Sequence, residues 1–409
     1  MSTQPTRQSP AILAALALCM ALQMTGFVMI LPLFARRFES FGAGVDALGM
    51  SSLAFALTST FSAPFMGMLA DRFGRRPIIL FSLAAYVLAF TGYLFASSAG
   101  LFILLRGLAG AFTAGLIPAM IGTASDLSLE HRRAKWIGIV NGGAAVGWIA
   151  GPYFGGLLND QFGYVVPFAV SILMELAALL LAVFLVPETQ PLTSRPAGAP
   201  WAGMRGFQAL PAVPAFYLLM LISFGVMFTW AFIEPQFMFY AYDDLGWTSS
   251  RLGLVMSTWG LACMFSEFAL GHLSDRLGRK PVLVLGLALF SAQYFGLVIF
   301  RDATWIVVSF MLAGLGNGIF DPALSAHLLD ISPPEHSARI IGFRTTAGSI
   351  GNMVGPALVV LFTPLMGPQL IFLIASALIL VLTLAAAFAL RTPQRTRAAP
   401  GFSNTAVSR

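Results

Sequence analysis

Apolar segments close to the ~20 residues that a bilayer core demands recur along this whole chain. They fall at about 11–34, 48–70, 78–97, 100–124, 136–158, 165–186, 212–240, 251–273, 281–300, 303–326, 340–363 and 369–390, twelve in all. No other feature constrains the fold as strongly. Inside hydrocarbon every backbone N–H and C=O must be satisfied within the segment, so these spans are predicted to be helices rather than strands. Only 10% of the 409 residues are charged, against about 25% in a soluble domain. The expected class is an all-α integral membrane protein. The first segment is too long for a signal-peptide core and lacks a small-residue cleavage site, so it is expected to stay uncleaved.

An even number of spans places both termini on one side. Arg72, Arg75, Arg76, Arg132, Arg133, Lys135, Arg195, Arg205, Arg276, Arg279, Lys280 and Arg339 fall on that side, with Arg7, Arg391, Arg395, Arg397 and Arg409 of the terminal segments. The opposite side holds only Arg36, Arg37, Arg251 and Arg301. This bias predicts cytoplasmic termini. It also explains the net charge of +6 as topology, with no nucleic-acid partner. There is no phosphate-binding loop, no HExxH and no metal-ligand cluster among the 4 histidines, which argues against an enzyme, a cofactor or a metal site. Cys19 and Cys263 fall inside predicted helices and form no disulfide framework. The chain lacks an N-x-S/T sequon, which favours a bacterial inner membrane.

The chain also repeats itself. Residues 67–77 read GMLADRFGRRP and residues 271–281 read GHLSDRLGRKP, an offset of 271 − 67 = 204. The same offset aligns Gly110 with Gly314, Asp126 with Asp330, Gly138 with Gly342, Gly147 with Gly351, and Gly151-Pro152 with Gly355-Pro356. Six helices per copy give both copies the same orientation, so the repeat is parallel about an axis along the membrane normal. The organisation expected is a bundle at 1–187, a cytoplasmic linker at 188–209, a second bundle at 210–391 and a disordered tail at 392–409. Two such halves enclose a central cleft, and rocking them would expose it to each side in turn.

Within the duplicated loop, Gly67 and Gly271 suit close helix packing, and Gly74 and Gly278 suit turns with positive φ. Asp126 and Asp330 sit at helix C-termini, the wrong sign for the helix dipole. Arg75 and Arg279 in the adjacent loops are their expected partners. Helix 5 carries Gly143, Gly147, Gly151 and Gly155 at intervals of four, a bare face for backbone contact with a neighbour, and Pro152 adds a kink.

These motifs carry a resemblance. The duplicated loop, with Asp71, Arg72, Arg75, Arg76 and then Asp275, Arg276, Arg279, Lys280, resembles the signature of the major facilitator superfamily between helices 2 and 3 and between 8 and 9. The helix-5 run Gly138, Gly147, Gly151, Pro152, Gly155, Gly156 is similar to the motif of its drug–proton antiporters, degraded in helix 11. Arg106-Gly107 and Gly110 resemble the family's helix-4 motif. The resemblance implies that Asp71 meets the start of helix 11 near Ile340, and Asp275 the start of helix 5 near Trp136, when the cytoplasmic side is shut. It further implies that helices 4 and 7 line the cleft.

Six ionisable residues lie within the predicted spans: Arg106, Glu175, Glu234, Glu267, Asp321 and Arg344. Charges at that depth are costly and point to function. By depth, Arg106 and Glu234 are expected to form an outer pair, while Glu267, Asp321 and Arg344 cluster near the cytoplasmic end. Withdrawal from water favours a protonated carboxyl and a nearby guanidinium favours the ionised one, so carboxylates that alternate between wet and dry can carry protons. Glu234 ranks first as carrier, then Asp321, with Glu175 and Glu267 behind and Arg106 tuning the site. Helix 1 has no acid; Gln23 holds the polar position. Gln23, Met24, Phe27, Phe228 and Trp230 are the substrate-cavity candidates, since Met and aromatic side chains repack readily. The resulting expectation is proton-coupled export of small amphipathic molecules by a functional monomer. A sugar or metabolite exporter and a non-transporting membrane sensor are the alternatives.

Overall fold

The computed structural model describes residues 10–189, 213–332, 336–363 and 365–390. The expected linker lies outside the described residues from position 190 onward, as does the whole 392–409 tail. Twelve long helices run through the rest: α1 (Pro10–Ser40), α2 (Val45–Phe73), α3 (Arg75–Phe95), α4 (Ala99–Leu127), α5 (Arg133–Phe162), α6 (Val165–Leu185), α7 (Pro214–Asp244), α8 (Ser249–Leu270), α9 (Arg279–Ile299), α10 (Ala303–Asp330), α11 (Ser337–Phe362) and α12 (Pro368–Ala389). Eleven are long and apolar enough to cross a membrane. The other, α5, has the length at 30 residues, but its glycines and its charged ends dilute its apolarity.

Local chemistry sets the helix boundaries. Gly74 (φ 104°) and Gly278 (φ 95°) terminate their helices in the positive-φ region, as the loop motif predicts. Ser98, Thr248 and Asp302 cap α4, α8 and α10 by accepting backbone N–H groups of Leu101, Arg251 and Thr304. Pro32 imposes a short 3-10 step, Leu31–Leu33, within α1.

The six helices from Pro10 to Leu185 pack as those from Pro214 to Ala389 do: α1 lies against α5 and α6, and α7 against α11 and α12. The glycine stripe explains the tightest of these contacts. A Cβ on Gly143, Gly147 or Gly155 would collide with backbone of Ala17, Met24 or Met29, and one on Gly151 would come within 3.0 Å of Thr25 O. Gly351 and Gly355 of α11 press in the same way on Phe224 and Phe228 of α7. Between the halves, α5 meets α8 and α2 meets α11.

We call the face holding Pro10 and Ala389 basal and the opposite face distal. The halves are joined at the distal face. There Gly156 abuts Ser249, Gly253 abuts Pro152, and Gly49 packs on Val359 and Pro356. At the basal face the corresponding helix ends stand apart. Gly138 and Gly342, equivalent positions of α5 and α11, have open space where a Cβ would sit. So does Gly67, which therefore makes no close packing contact here, contrary to expectation; in its copy, the Cβ on Gly271 would meet only the preceding turn at Glu267.

Candidate functional site: a central cavity between the halves

A cavity of about 540 Å³ lies between the halves, walled by α1, α2, α4 and α5 on one side and by α7, α10 and α11 on the other. Ser52, Ser59, Thr60, Ser223, Ser349 and Asn352 give it a polar middle, and Phe27, Phe55, Trp148, Met227, Trp230 and Phe320 give it apolar walls.

Its charges sit at two depths. Toward the distal end, Arg106 is only 4% exposed. Its guanidinium carbon lies 4.3 Å from the Phe55 ring centre, 5.1 Å from that of Phe34 and 5.9 Å from that of Phe27. Its Nε and Nη1 have no hydrogen-bond partner among the described residues. Aromatic faces therefore replace a counter-ion, an arrangement that a guanidinium tolerates because it is weakly hydrated and planar. Glu234 of α7 lines the same cavity. The two do not form the expected direct pair, since no nitrogen–oxygen approach within 4.0 Å joins them. The rings around Arg106 belong to its own half.

Toward the basal end, Arg344 of α11 donates to the Asp321 carboxylate and to Ser325 Oγ, both on α10. Below this pair each half has its own loop cluster. Arg75 pairs with Asp126 at 2.8 Å. Arg279 donates to Asp330 at 3.0 Å and to Asp275 at 2.5 Å. Each arginine thus neutralises a carboxylate held at a helix C-terminus, the wrong end of the dipole. Among the described residues, neither Asp71 nor Asp275 bonds to the other half; Asp275 is engaged within its own, as befits basal ends that stand apart.

Other sequence candidates lie elsewhere. Gln23 is 1% exposed and turned into the first half. Met24 lies against Gly147, because the glycine stripe draws that side of α1 onto α5. Phe228 stacks between Phe224 and Phe232 at 5.6 and 5.5 Å and lies against Gly355. Of the five cavity candidates, only Phe27 and Trp230 line the cavity. Glu175 is fully buried within the first half, and both its oxygens lack a hydrogen-bond partner among the described residues. Glu267 lies on α8 at the edge of a second chamber.

Three residues emerge only in three dimensions. Asp160, at the end of α5, accepts the backbone N–H groups of Ser249 (3.0 Å) and Ser250 (2.8 Å) at the start of α8. Glu188 accepts those of Arg75 and Arg76 (3.1 and 3.3 Å) at the start of α3. Trp148 joins the cavity wall from α5. A carboxylate four residues past a glycine-rich span, or just beyond α6, gives no periodic signal in the sequence.

Two pseudo-symmetric helical bundles around a shared polar cavity define a membrane transporter of small molecules rather than an enzyme. The profile of the Major Facilitator Superfamily matches residues 16–248 and again 219–407, and the chain belongs to that family. It is similar to the tetracycline resistance protein, class G, of Vibrio anguillarum, at 29% identity over 362 residues, 85% of this chain and 89% of that protein. The multi-drug resistance efflux pump PmrA of Streptococcus pneumoniae (strain TIGR4) is 27% identical over 352 residues, 80% and 82% of the two chains. Among solved structures, the nucleoside transporter NupG superposes with a TM-score of 0.75 at 14% identity, covering 92% of this chain and 98% of that one.

Proposed function

We propose that this protein exports small amphipathic molecules in exchange for protons, by rocking its two halves about the central cavity. The observation that carries this reading is the cavity itself. It is sealed by the α5–α8 and α2–α11 contacts at the distal face, its basal helix ends stand apart, and it holds Glu234 with no direct counter-ion. The basic residues Arg72, Arg132, Arg133, Arg276 and Lys280 lie at the basal face, which makes that face cytoplasmic by the positive-inside bias. In that orientation the protein is poised to load from the cytoplasm of a bacterial cell. The named tetracycline and multidrug relatives support an efflux direction.

In this scheme Glu234 takes a proton when the cavity opens to the outside. It yields the proton when substrate and cytoplasmic water return, with Arg106 lining the same cavity. Asp321, paired with Arg344, is the second candidate; Glu175 and Glu267 follow. The charged loop clusters tether the basal helix ends while open, and Asp71 is free to engage α11 on closure. One chain holds a complete path, so a monomer suffices.

The test uses inside-out vesicles with an acid interior and an internal pH dye. Ethidium added to wild type should release protons, and Glu234→Gln should not. Release that survives in Glu234→Gln assigns the carrier to Asp321 or Glu175. No release with any amphipathic compound, in folded protein, removes antiport.

A further inference from the structure

Beside the central cavity lies a second chamber of about 510 Å³, walled by α5, α7, α8, α9 and α10. The two share Trp148, Val226, Met227 and Trp230, which stand where the two spaces adjoin. Three tryptophans meet at the junction. Trp259 stacks on Trp230 at 6.3 Å and 15°, and meets Trp148 edge-on at 6.3 Å and 62°. The indole Nε1 of Trp259 is buried without an acceptor among the described residues.

Ala144, Ala145, Met264 and Phe290 make much of the remaining wall apolar, and its polar groups include Asn317, Cys263 and one acid, Glu267. Asn317 donates to Cys263 Sγ at 3.3 Å, and that thiol lies 3.8 Å from Glu267 Oε1. A thiol is a weak donor and neutralises nothing. No lysine or arginine lines this chamber, and no cation lies within 4.0 Å of Glu267 among the described residues. The contrast with Asp321, which Arg344 neutralises, is direct. Here a carboxylate shares a chamber with three indoles and has no counter-ion of its own among the described residues.

We infer that this side chamber is a binding subsite for flat organic cations, with the ring system against Trp148 and Trp259 and the positive charge satisfied by Glu267. The inference rests on the transport reading above and assigns a place and a charge class to part of its cargo. Indole faces attract cations through their quadrupole and stack on flat rings, and a carboxylate without a counter-ion favours a ligand that supplies the missing charge. An anion would meet Glu267 as a like charge, and a neutral ring would leave the carboxylate unpaired.

The test compares ethidium with phenanthridine, its uncharged parent ring, against the full chain in lipid nanodiscs. Intrinsic tryptophan quenching reports binding. Glu267→Gln is expected to weaken ethidium binding about tenfold or more while moving phenanthridine less than about twofold. Glu267→Asp should recover most of the loss, which separates a charge effect from misfolding. Trp259→Phe should reduce both the quenching and the ethidium affinity. Unchanged ethidium affinity in Glu267→Gln, equal losses for both probes, or no ethidium binding to wild type would each overturn the assignment. Ethidium-driven proton release that persists in Glu267→Gln with unchanged affinity would leave the antiport reading intact and remove only the subsite. Loss of ethidium binding in Glu267→Gln, in a protein without proton release, would do the reverse.

Discussion

Asp160 clasps Ser249 across the two halves: its carboxylate, carried on the last turn of α5, accepts the N–H at the start of α8. Ser250 N–H and the Asn159–Ser249 side-chain contact at 2.9 Å complete the clasp. An acid at a helix N-terminus satisfies otherwise orphaned donors and complements the dipole. Position 364, the repeat equivalent of 160, is a proline, so the repeat supplies no carboxylate at that position of the second half.

The first prediction concerns that clasp. Asp160→Ala should weaken the distal seal by about 1 kcal/mol, raising the distal-open population about fivefold. Val359 is fully buried at the neighbouring α2–α11 seal. In a Val359→Cys protein lacking Cys263, a membrane-impermeant maleimide should therefore react several-fold faster once Asp160 is replaced. An unchanged rate would show that the clasp does not hold the seal.

The Asp321–Arg344 pair yields the second. Arg344→Ala leaves a partly buried carboxylate without its cation and should lower stability by about 1–3 kcal/mol, the range between exposed and buried pairs. Removing Asp321 as well should restore part of the loss. Thermal unfolding in one detergent, read across the double-mutant cycle, checks the sign of the coupling.

Glycines of α5 separate into two kinds, and the third prediction uses the difference. Gly147→Ala drives a methyl into the Met24 backbone and should cost about 1–3 kcal/mol. Gly138→Ala enters open space and should not destabilise, gaining about 0.5–1 kcal/mol from helix propensity. Equal effects would mean that α1 does not rest on the stripe.

Glu188 supplies the fourth. Its removal by Glu188→Ala frees the Arg75 and Arg76 N–H groups at the start of α3 and should cost about 1 kcal/mol. Hydrogen exchange at those two amides should rise, while exchange at the start of α9 stays unchanged.

Much of this molecule is legible in its sequence because a bilayer makes the code simple. Segment length, apolarity and the 204-residue repeat offset give the helices, their order and the cleft. The loop arginines could be assigned to Asp126 and Asp330 because the helix dipole leaves those acids in need of a cation. What periodicity does not reveal is facing. In lipid the apolar and interior faces of a helix are equally greasy, so Met24 and Phe228 look like cavity residues and are packing residues. The glycine stripe was the better clue, since it marks which face of α1 must turn away from the cavity. Trp148 and Trp259 were hidden for the same reason, and Asp160 because it works on the helix of another half.

The glycine stripe seats α1 against α5 from Gly143 to Gly155, so in the proposed rocking the two helices would move together. With 30 residues, α5 is about 45 Å long, and each degree of tilt about its distal end shifts its basal end by about 0.8 Å. On the alternating-access reading proposed above, a fulcrum at Asp160 and Ser249 would turn a small slip of Gly156 on Ser249 and of Gly253 on Pro152 into a mouth wide enough for a molecule to pass. In such a machine the speed of transport would be set at the pivot, far from the place where cargo enters.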